Sequence, residues 1–391
     1  MTTTATINGT GLDELRAEVR SWLAANATGA PVAELAHDKM DYDPGELGQR
    51  WVSRLREGRW LCLSWPQKYG GRGLGPLECI AVNEEFAKAG VQRPRLGMGE
   101  NLVAPAILEH GTSEQKEYFL PRILSGHDVY CQGFSEPESG SDLARLRTRA
   151  VVDGDDLVVD GEKIWQSGAH QANMIFTLCR TDPNAPRHKG ISYVLVPMTG
   201  NGVRVEPIRM LTGDRGFNQV FFTASRAPLF HVIGDLNEGW NVAMTTLGAE
   251  RAGDATTQYL GYQRELFALV RTLGLTQNSV DNVPPRLVDA YLEVELMRLS
   301  GQRVTGAMLA GQSADALLAV DKLNWSEYHA WFGEMAIEEL GIDGLVRPGG
   351  DAYALSMFQR ILLESRGRRI ARGTNQIQRN IIAERLLGLP K

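Results

Sequence analysis

Four stretches of this chain hold residue types that could do chemistry. The run Tyr130-Cys131-Gln132-Gly133-Phe134-Ser135-Glu136-Pro137-Glu138-Ser139-Gly140-Ser141-Asp142 mixes hydroxyls, an amide side chain and glycines. It can turn backbone amides and hydroxyls toward a planar polar ring, or be a surface turn built on Glu-Pro and Gly-Ser. In Lys163-Ile164-Trp165-Gln166-Ser167-Gly168, the tryptophan is either core or an aromatic wall beside a ligand. Glu250-Arg251 is either a charged step on a solvated helix face or a carboxylate positioned as a base. Near the end of the chain, Arg366, Arg368, Arg369, Arg372 and Arg379 surround Gly373-Thr374-Asn375-Gln376. Such a density of guanidinium groups suits anionic phosphates, or is a solvated basic helix start.

The elements that must carry these stretches follow from hydrophobic period. Leu12, Leu15, Val19, Trp22 and Leu23 fall at helical spacing, and Trp51, Leu55 and Trp60 suggest a second helix. Further helices are expected over Cys79 to Ala89, stopping at Gly90, and over Glu114 to Leu124. From about Tyr130 the texture turns to β. Arg149 to Val152 and Leu157 to Val159 flank Asp153-Gly154-Asp155 as a hairpin, and Met174 to Leu178, Ile191 to Val196 and Val220 to Phe222 read as strands. From Trp240 the helical period returns. Long helices are expected over Val283 to Leu309, with Leu287, Tyr291, Val294, Met297, Leu299 and Val304 as apolar positions, and over Ala314 to Leu340. A last helix is expected over Glu364 to Leu387. Spare apolar faces on such helices could pair with another subunit. The division reads as a helical domain at 1–128, a β domain at 129–236 and a helical bundle at 237–391.

Composition narrows the function class. The chain has 391 residues, 43% hydrophobic and 23% charged, with formal net charge −6. That acidity argues against a general binder of nucleic acid or anionic membranes. Cys62, Cys79, Cys131 and Cys179 are far apart with no CxxC, as reduced thiols of a cytoplasmic protein would be. Met1 to Thr10 carries no charge, and no basic region followed by an apolar one suggests a secretory leader. No run is apolar enough to span a membrane, and no Walker A, zinc spacing or GxSxG is present.

Taken together and in order, the four stretches resemble those of the acyl-CoA dehydrogenases, from about Gly11 to Pro390. The resemblance implies an α+β fold with an N-terminal helical domain, a middle β-barrel-like domain and a C-terminal four-helix bundle. It implies FAD as cofactor, an acyl-CoA substrate, an electron-transfer flavoprotein or similar acceptor, and a homotetramer or dimer. By this resemblance Gln132, Phe134 and Ser135 lie along the isoalloxazine, and Ser141 meets FAD phosphate or the CoA part of the substrate. Trp165 and Ser167 match positions that cover and hydrogen-bond the flavin, and Thr374 and Gln376 match further FAD contacts. Arg251 and Arg372 are substrate-side candidates. In the best-known members a glutamate precedes Gly-Thr and is the catalytic base; here that position is Arg372, which stays protonated. In isovaleryl-CoA and long-chain acyl-CoA dehydrogenases the base is instead a Glu followed by Arg on the helix after the β domain, and Glu250 falls there. Arg271 matches a phosphate contact that reaches FAD across a subunit boundary. The Phe and Gln that accompany it in many members do not appear in Val270 to Gly274, in Asp281 to Pro285, or at Glu338 and Glu339.

The expected reaction is therefore α,β-desaturation of an acyl-CoA, with Glu250 taking the α-proton and hydride passing to flavin N5. The Arg372 side chain has three possible jobs: pointing away, pairing with Glu250, or binding a polar group on an unusual acyl chain. Two rival readings stay open. One is a flavin monooxygenase or oxidase on the same fold. The other is a non-catalytic partner subunit of a hetero-oligomer, suggested by the missing Phe and Gln.

Overall fold

The computed structural model describes residues 9–31, 45–91, 93, 94, 96–255, 257–276, 282–348 and 354–390. The chain begins with helices α1 (Gly9–Asn26), α2 (Gly45–Glu57), α3 (Pro76–Lys88), α4 (Ala104–His110) and α5 (Ser113–Ser125). Trp60 falls beyond the end of α2, because the chain turns out of the helix at Arg59 with φ +58°. Trp60 still packs where the periodicity wanted it, 5.9 Å from the Trp22 ring and 6.4 Å from that of Phe86. Full burial of such side chains contributes roughly 1.5–3 kcal/mol each.

The β region holds β1 (Tyr130–Gly133), β2 (Arg149–Asp153), β3 (Asp156–Ser167), β4 (Met174–Arg180), β5 (Ile191–Pro197), β6 (Val203–Ile208), β7 (Phe217–Pro228) and β8 (Val232–Ile233). Their order across the sheet is β6-β7-β3-β2-β4-β5-β8, with β1 parallel to β4. Strands β4 and β5 are buried on both faces. Phe176, Leu178, Tyr193 and Leu195 join the core shared with the N-terminal helices, while Ile175, Cys179, Val194 and Val196 join a second core on the other face. This two-sided burial explains why both segments are mostly apolar, interrupted only by buried Thr177 in β4 and buried Ser192 in β5 before each strand's last residue.

Then come α6 (Gly239–Ala255), α7 (Tyr259–Thr272), α8 (Pro285–Leu309), α9 (Asp315–Leu340), the short α10 (Ile342–Leu345), α11 (Met357–Arg368) and α12 (Asn375–Ile381). Val242 and Ala243 of α6 belong to the core of the N-terminal region, so α6 bridges that region to the bundle. Helices α7, α8, α9 and α11 pack around a separate core that includes Leu269, Val294, Phe332 and Ile361. The single helix expected over Glu364 to Leu387 is a correction. Arg372 at φ +56° and Gly373 at φ +82° are incompatible with a continuous α-helix, and the chain restarts at Thr374, whose Oγ1 accepts from the N–H of Ile377 at 3.2 Å. That break creates the loop on which much of the candidate site sits.

Candidate functional site

The first half of the site is built at the end of β1. Strand register places Gly133 against Thr177, where an added Cβ would come to 2.8 Å from the Ile175 side chain and 2.9 Å from that of Thr177, so any larger residue would force them to shift. Thr177 donates to the Gly133 carbonyl at 2.6 Å. Phe134 then turns inward, edge-on to Phe176 and Tyr193, so its ring is core. The carbonyl of Ser135 accepts from the N–H of Ile164 at 3.0 Å, which joins the first motif to the second. Beyond it the chain folds back, with Glu136 and Ser139 exchanging both backbone hydrogen bonds. Gln132 and Ser135 are half-buried and Ser141 is exposed on this turn.

A buried ion pair holds that turn to the sheet. Lys163, with no exposed surface, donates to Glu136 at 2.8 Å, to the Leu178 carbonyl at 2.8 Å and to the Phe134 carbonyl at 3.3 Å. Glu136 also accepts from the N–H groups of Arg147 and Thr148 at 2.6 and 2.9 Å. Burial alone would push the Glu136 carboxyl up, but the Lys163 ammonium and these N–H groups outweigh it and hold it below the usual range. Sequence reading treated Glu136 as part of a turn and missed the clamp, because its partner lies on another strand.

Two residues past Lys163 the ladder between β3 and β7 slips, between Ile164 and Gln166. Trp165 occupies the slip at φ +70° and points outward, 58% exposed, with the Phe217 ring edge-to-face with it at 6.2 Å. Gln166 points inward instead, fully enclosed. Ser167 is half-buried at the strand end. A β-bulge that re-aims one side chain is common next to active sites.

The second half lies where α6 meets the break between α11 and α12. Glu250 projects from α6 with 15% of its side chain exposed, and its Oε1 lies 3.4 Å from Nε of Arg372. Of the three jobs considered for Arg372, the geometry shows the pairing. The loop carrying it is tied down from three sides. Gln378 donates to the carbonyls of Arg372 and Gly373 at 3.1 and 3.4 Å. Buried Asn375 accepts from Lys322 at 2.6 Å and from Ser326 at 2.9 Å, and donates to Glu327 at 2.8 Å. Glu327 in turn pairs with Arg369 at 2.6 Å and Arg379 at 3.2 Å. The Lys322 pKa falls to about 8, chiefly from burial; Glu327 opposes this and Arg372 adds to it. Lys322, Ser326 and Glu327 all come from α9, whose sequence gives no sign of this role.

The remaining expected residues are placed as follows. Thr374 caps α12 and Gln376 is exposed in its first turn. Arg271 is exposed in the last turn of α7. Arg251 lies on α6, but its side chain falls outside the described residues. Among the described residues there is no cluster of side chains that could hold a metal ion, and no helix is long and apolar enough to cross a membrane.

Comparison with known proteins agrees with this architecture along its length. Residues 11–127 match the acyl-CoA dehydrogenase N-terminal domain, 131–224 the middle domain and 237–387 the C-terminal domain. The acyl-CoA dehydrogenase IpdE1 of Mycobacterium tuberculosis is 39% identical over 386 residues, spanning 97% of this chain and 98% of that protein. The solved steroid ACAD Tcur3481-Tcur3483 is 32% identical with a TM-score of 0.81, over 98% of this chain and 99% of that one. The ChsE4-ChsE5 complex from Mycobacterium tuberculosis is 29% identical with a TM-score of 0.77, over the full length of both chains. With domain order, fold and near-complete coverage in agreement, the chain belongs to the acyl-CoA dehydrogenase family of oxidoreductases.

Proposed function

We propose that this protein is an FAD-dependent acyl-CoA dehydrogenase in which Glu250 removes the α-proton of the acyl thioester. The observation that carries this reading is the meeting of Glu250 with the loop at Arg372. A largely enclosed carboxylate on a helix is thereby set beside the segment whose backbone, in the family, faces the thioester.

Proteins of this family are FAD-binding flavoproteins, and the residues here fit a flat aromatic group. A tryptophan 58% exposed at a left-handed backbone position is an unfavourable arrangement for a residue with no ligand to cover. Trp165 would cover one face of the flavin and keep water out, with Ser167 and the backbone at Gln132 to Ser135 along its polar edge. Thr374, Gln376 and Ser141 are the further contacts proposed for it, with Arg271 serving a phosphate. FAD, when bound, supplies the hydride acceptor. The chain's own residues must bind the acyl-CoA, hold its carbonyl and take its proton. The main-chain N–H of Arg372 would donate to the thioester oxygen as charge develops there, a contribution of roughly 3 kcal/mol for one such donor. Because that donor is backbone, the loss of glutamate at this position leaves it intact.

The acyl group is proposed to be steroid-derived, since a neighbour 32% identical over 98% of this chain is named a steroid ACAD. Oligomerisation is proposed through α8. Leu287, Val294 and Met297 face the bundle core, whereas Val288, Tyr291, Leu292, Leu296 and Leu299 are exposed at helical spacing. A second chain on that face is in keeping with neighbours named as complexes of two chains. The same neighbours favour, as a second reading, a hetero-oligomer in which this chain needs a partner to complete its FAD site. FAD content of the protein purified alone tests it, and retention well below one per chain would favour it. The electron acceptor is proposed to be an electron-transfer flavoprotein.

The base is tested by Glu250→Gln, with flavin reduction followed without oxygen. Reduction by acyl-CoA is expected to slow by about 10²–10⁴-fold. Rapid reduction in the variant would remove Glu250 from the mechanism.

A further inference from the structure

Arg372 sits at φ +56°, a backbone region that residues other than glycine avoid, and is followed by Gly373 at φ +82°. A long side chain held in that conformation is an outlier that a glycine would relieve. Its guanidinium contacts Glu250 at 3.4 Å, through Nε. While that contact lasts, the Glu250 oxygen faces a cation instead of a substrate carbon. The base reading therefore requires the guanidinium to move, and something must draw it off.

The surroundings indicate what that could be. Arg372 and the buried Lys322 act on each other as like charges, with Glu250 from α6 beside Arg372 and the Glu327 charge from α9 acting on Lys322. Glu327 is already committed to Asn375, Arg369 and Arg379. A hydrocarbon chain entering here offers Arg372 no acceptor, so the guanidinium stays on Glu250. A chain carrying an oxygen lets it exchange its ion-pair partner for a hydrogen-bonded one, most readily when that oxygen is charged.

We propose that Arg372 is a specificity-determining residue that holds Glu250 in the resting protein and releases it to an acyl group bearing an acceptor oxygen. The carbonyl or carboxylate on the acyl chain takes the guanidinium, and Glu250 is freed for the α-proton. The substrate class is thus an oxygenated acyl-CoA, not a plain fatty one. This rests on Glu250 being the base, so the test separates the two.

The flavin-loaded protein, with any chain that co-purifies, is given acyl-CoAs of equal length ending in a hydrocarbon, a ketone or a carboxylate, the oxygen being moved along the chain. Binding is measured separately with the matching CoA thioethers, which lack the carbonyl that acidifies the α-proton and so are not desaturated. The expected result is a preference for an oxygenated chain on the order of tenfold in both kcat/KM and Kd. In Arg372→Gly, which suits φ +56° and keeps the main-chain N–H, the preference shrinks to less than about twofold and the hydrocarbon substrate speeds up. The ketone and carboxylate arms report whether the acceptor is neutral or charged. No preference in the native protein, or one that survives Arg372→Gly, overturns the proposal. Glu250→Gln keeps the thioether preference while losing flavin reduction; if it keeps reduction, the base reading has failed, and the thioethers still judge Arg372.

Discussion

Two carboxylate–cation pairs frame the candidate site, and they differ in almost every physical respect. Glu136 and Lys163 meet at 2.8 Å with side chains 6% and 0% exposed, and each makes further hydrogen bonds to backbone. Glu250 and Arg372 meet at 3.4 Å with side chains 15% and 40% exposed, the arginine on a strained turn. The first pair ties a turn to β3 and is enclosed on all sides. The second joins a helix to a loop and is open on one side. A pair with its hydrogen-bonding capacity used by fixed neighbours holds a structure in place. A longer, half-open pair is one that a ligand can rearrange. Charge alone does not separate structural from functional groups here; their degree of enclosure does.

The largest expected effect tests the closed pair. Lys163→Met leaves the Glu136 charge buried without its ammonium, a loss typically of about 3–5 kcal/mol. Denaturant unfolding followed by tryptophan fluorescence should show a clearly lower midpoint. A loss under about 1 kcal/mol would mean that water or rearrangement satisfies Glu136. The contrast with Glu250 would then weaken.

Next is the clamp beneath the open pair. Asn375→Ala removes a side chain that satisfies Lys322, Ser326 and Glu327 at once, and leaving buried partners unmet costs about 1–3 kcal/mol. The loss should be local. Amide exchange across Arg369 to Gln376 is expected to quicken while exchange in β4 and β5 stays unchanged. Equal quickening in both would show that the loop is not an independent unit.

A smaller effect concerns Lys322 and pH. Its folded pKa is about 8 against an ordinary 10.5, so the folded state gives up this proton before the unfolded chain does. The unfolded chain binds more protons in that window, so this group's contribution to stability rises as pH climbs from about 8 to 10.5. Below pH 8 the penalty of the buried charge is fully present. Unfolding midpoints of native protein and Lys322→Met, measured across this range, should show the rise only in the native protein.

How much of this was legible in the sequence follows from where each partner lies. Strands β4 and β5 stand out because they are enclosed on both faces and therefore mostly apolar. Strand β1 did not, being four residues long with a half-buried Gln132. Nor did β6, whose residues are largely exposed and include Pro207. The long helix expected over Glu364 to Leu387 failed because apolar spacing continues across a break set by two successive left-handed residues. Within the site, local motifs such as the Trp165 and Thr374 segments could be quoted directly. Lys163, Lys322 and Glu327 read as ordinary charged residues, since their roles depend on chain segments brought together only by folding. Glu250 was found through family resemblance, and its contact with Arg372 was one of several open possibilities.

The smallest stability effect belongs to Arg372→Gly, and that smallness is its value. Partly exposed ion pairs contribute about 0–1 kcal/mol, and a guanidinium with 40% of its side chain exposed should lie within that range. Against this, glycine relieves the left-handed backbone at φ +56°, although it also loosens the unfolded chain. The two terms nearly cancel, so the unfolding midpoint should move by less than about 1 kcal/mol in either direction. A loss as large as that of Lys163→Met would mean that Arg372 holds the fold together, and the open pair would then be structural like the closed one. A negligible loss leaves its strained backbone without a structural reason, and a role toward the acyl chain becomes the better account of why an arginine stands there.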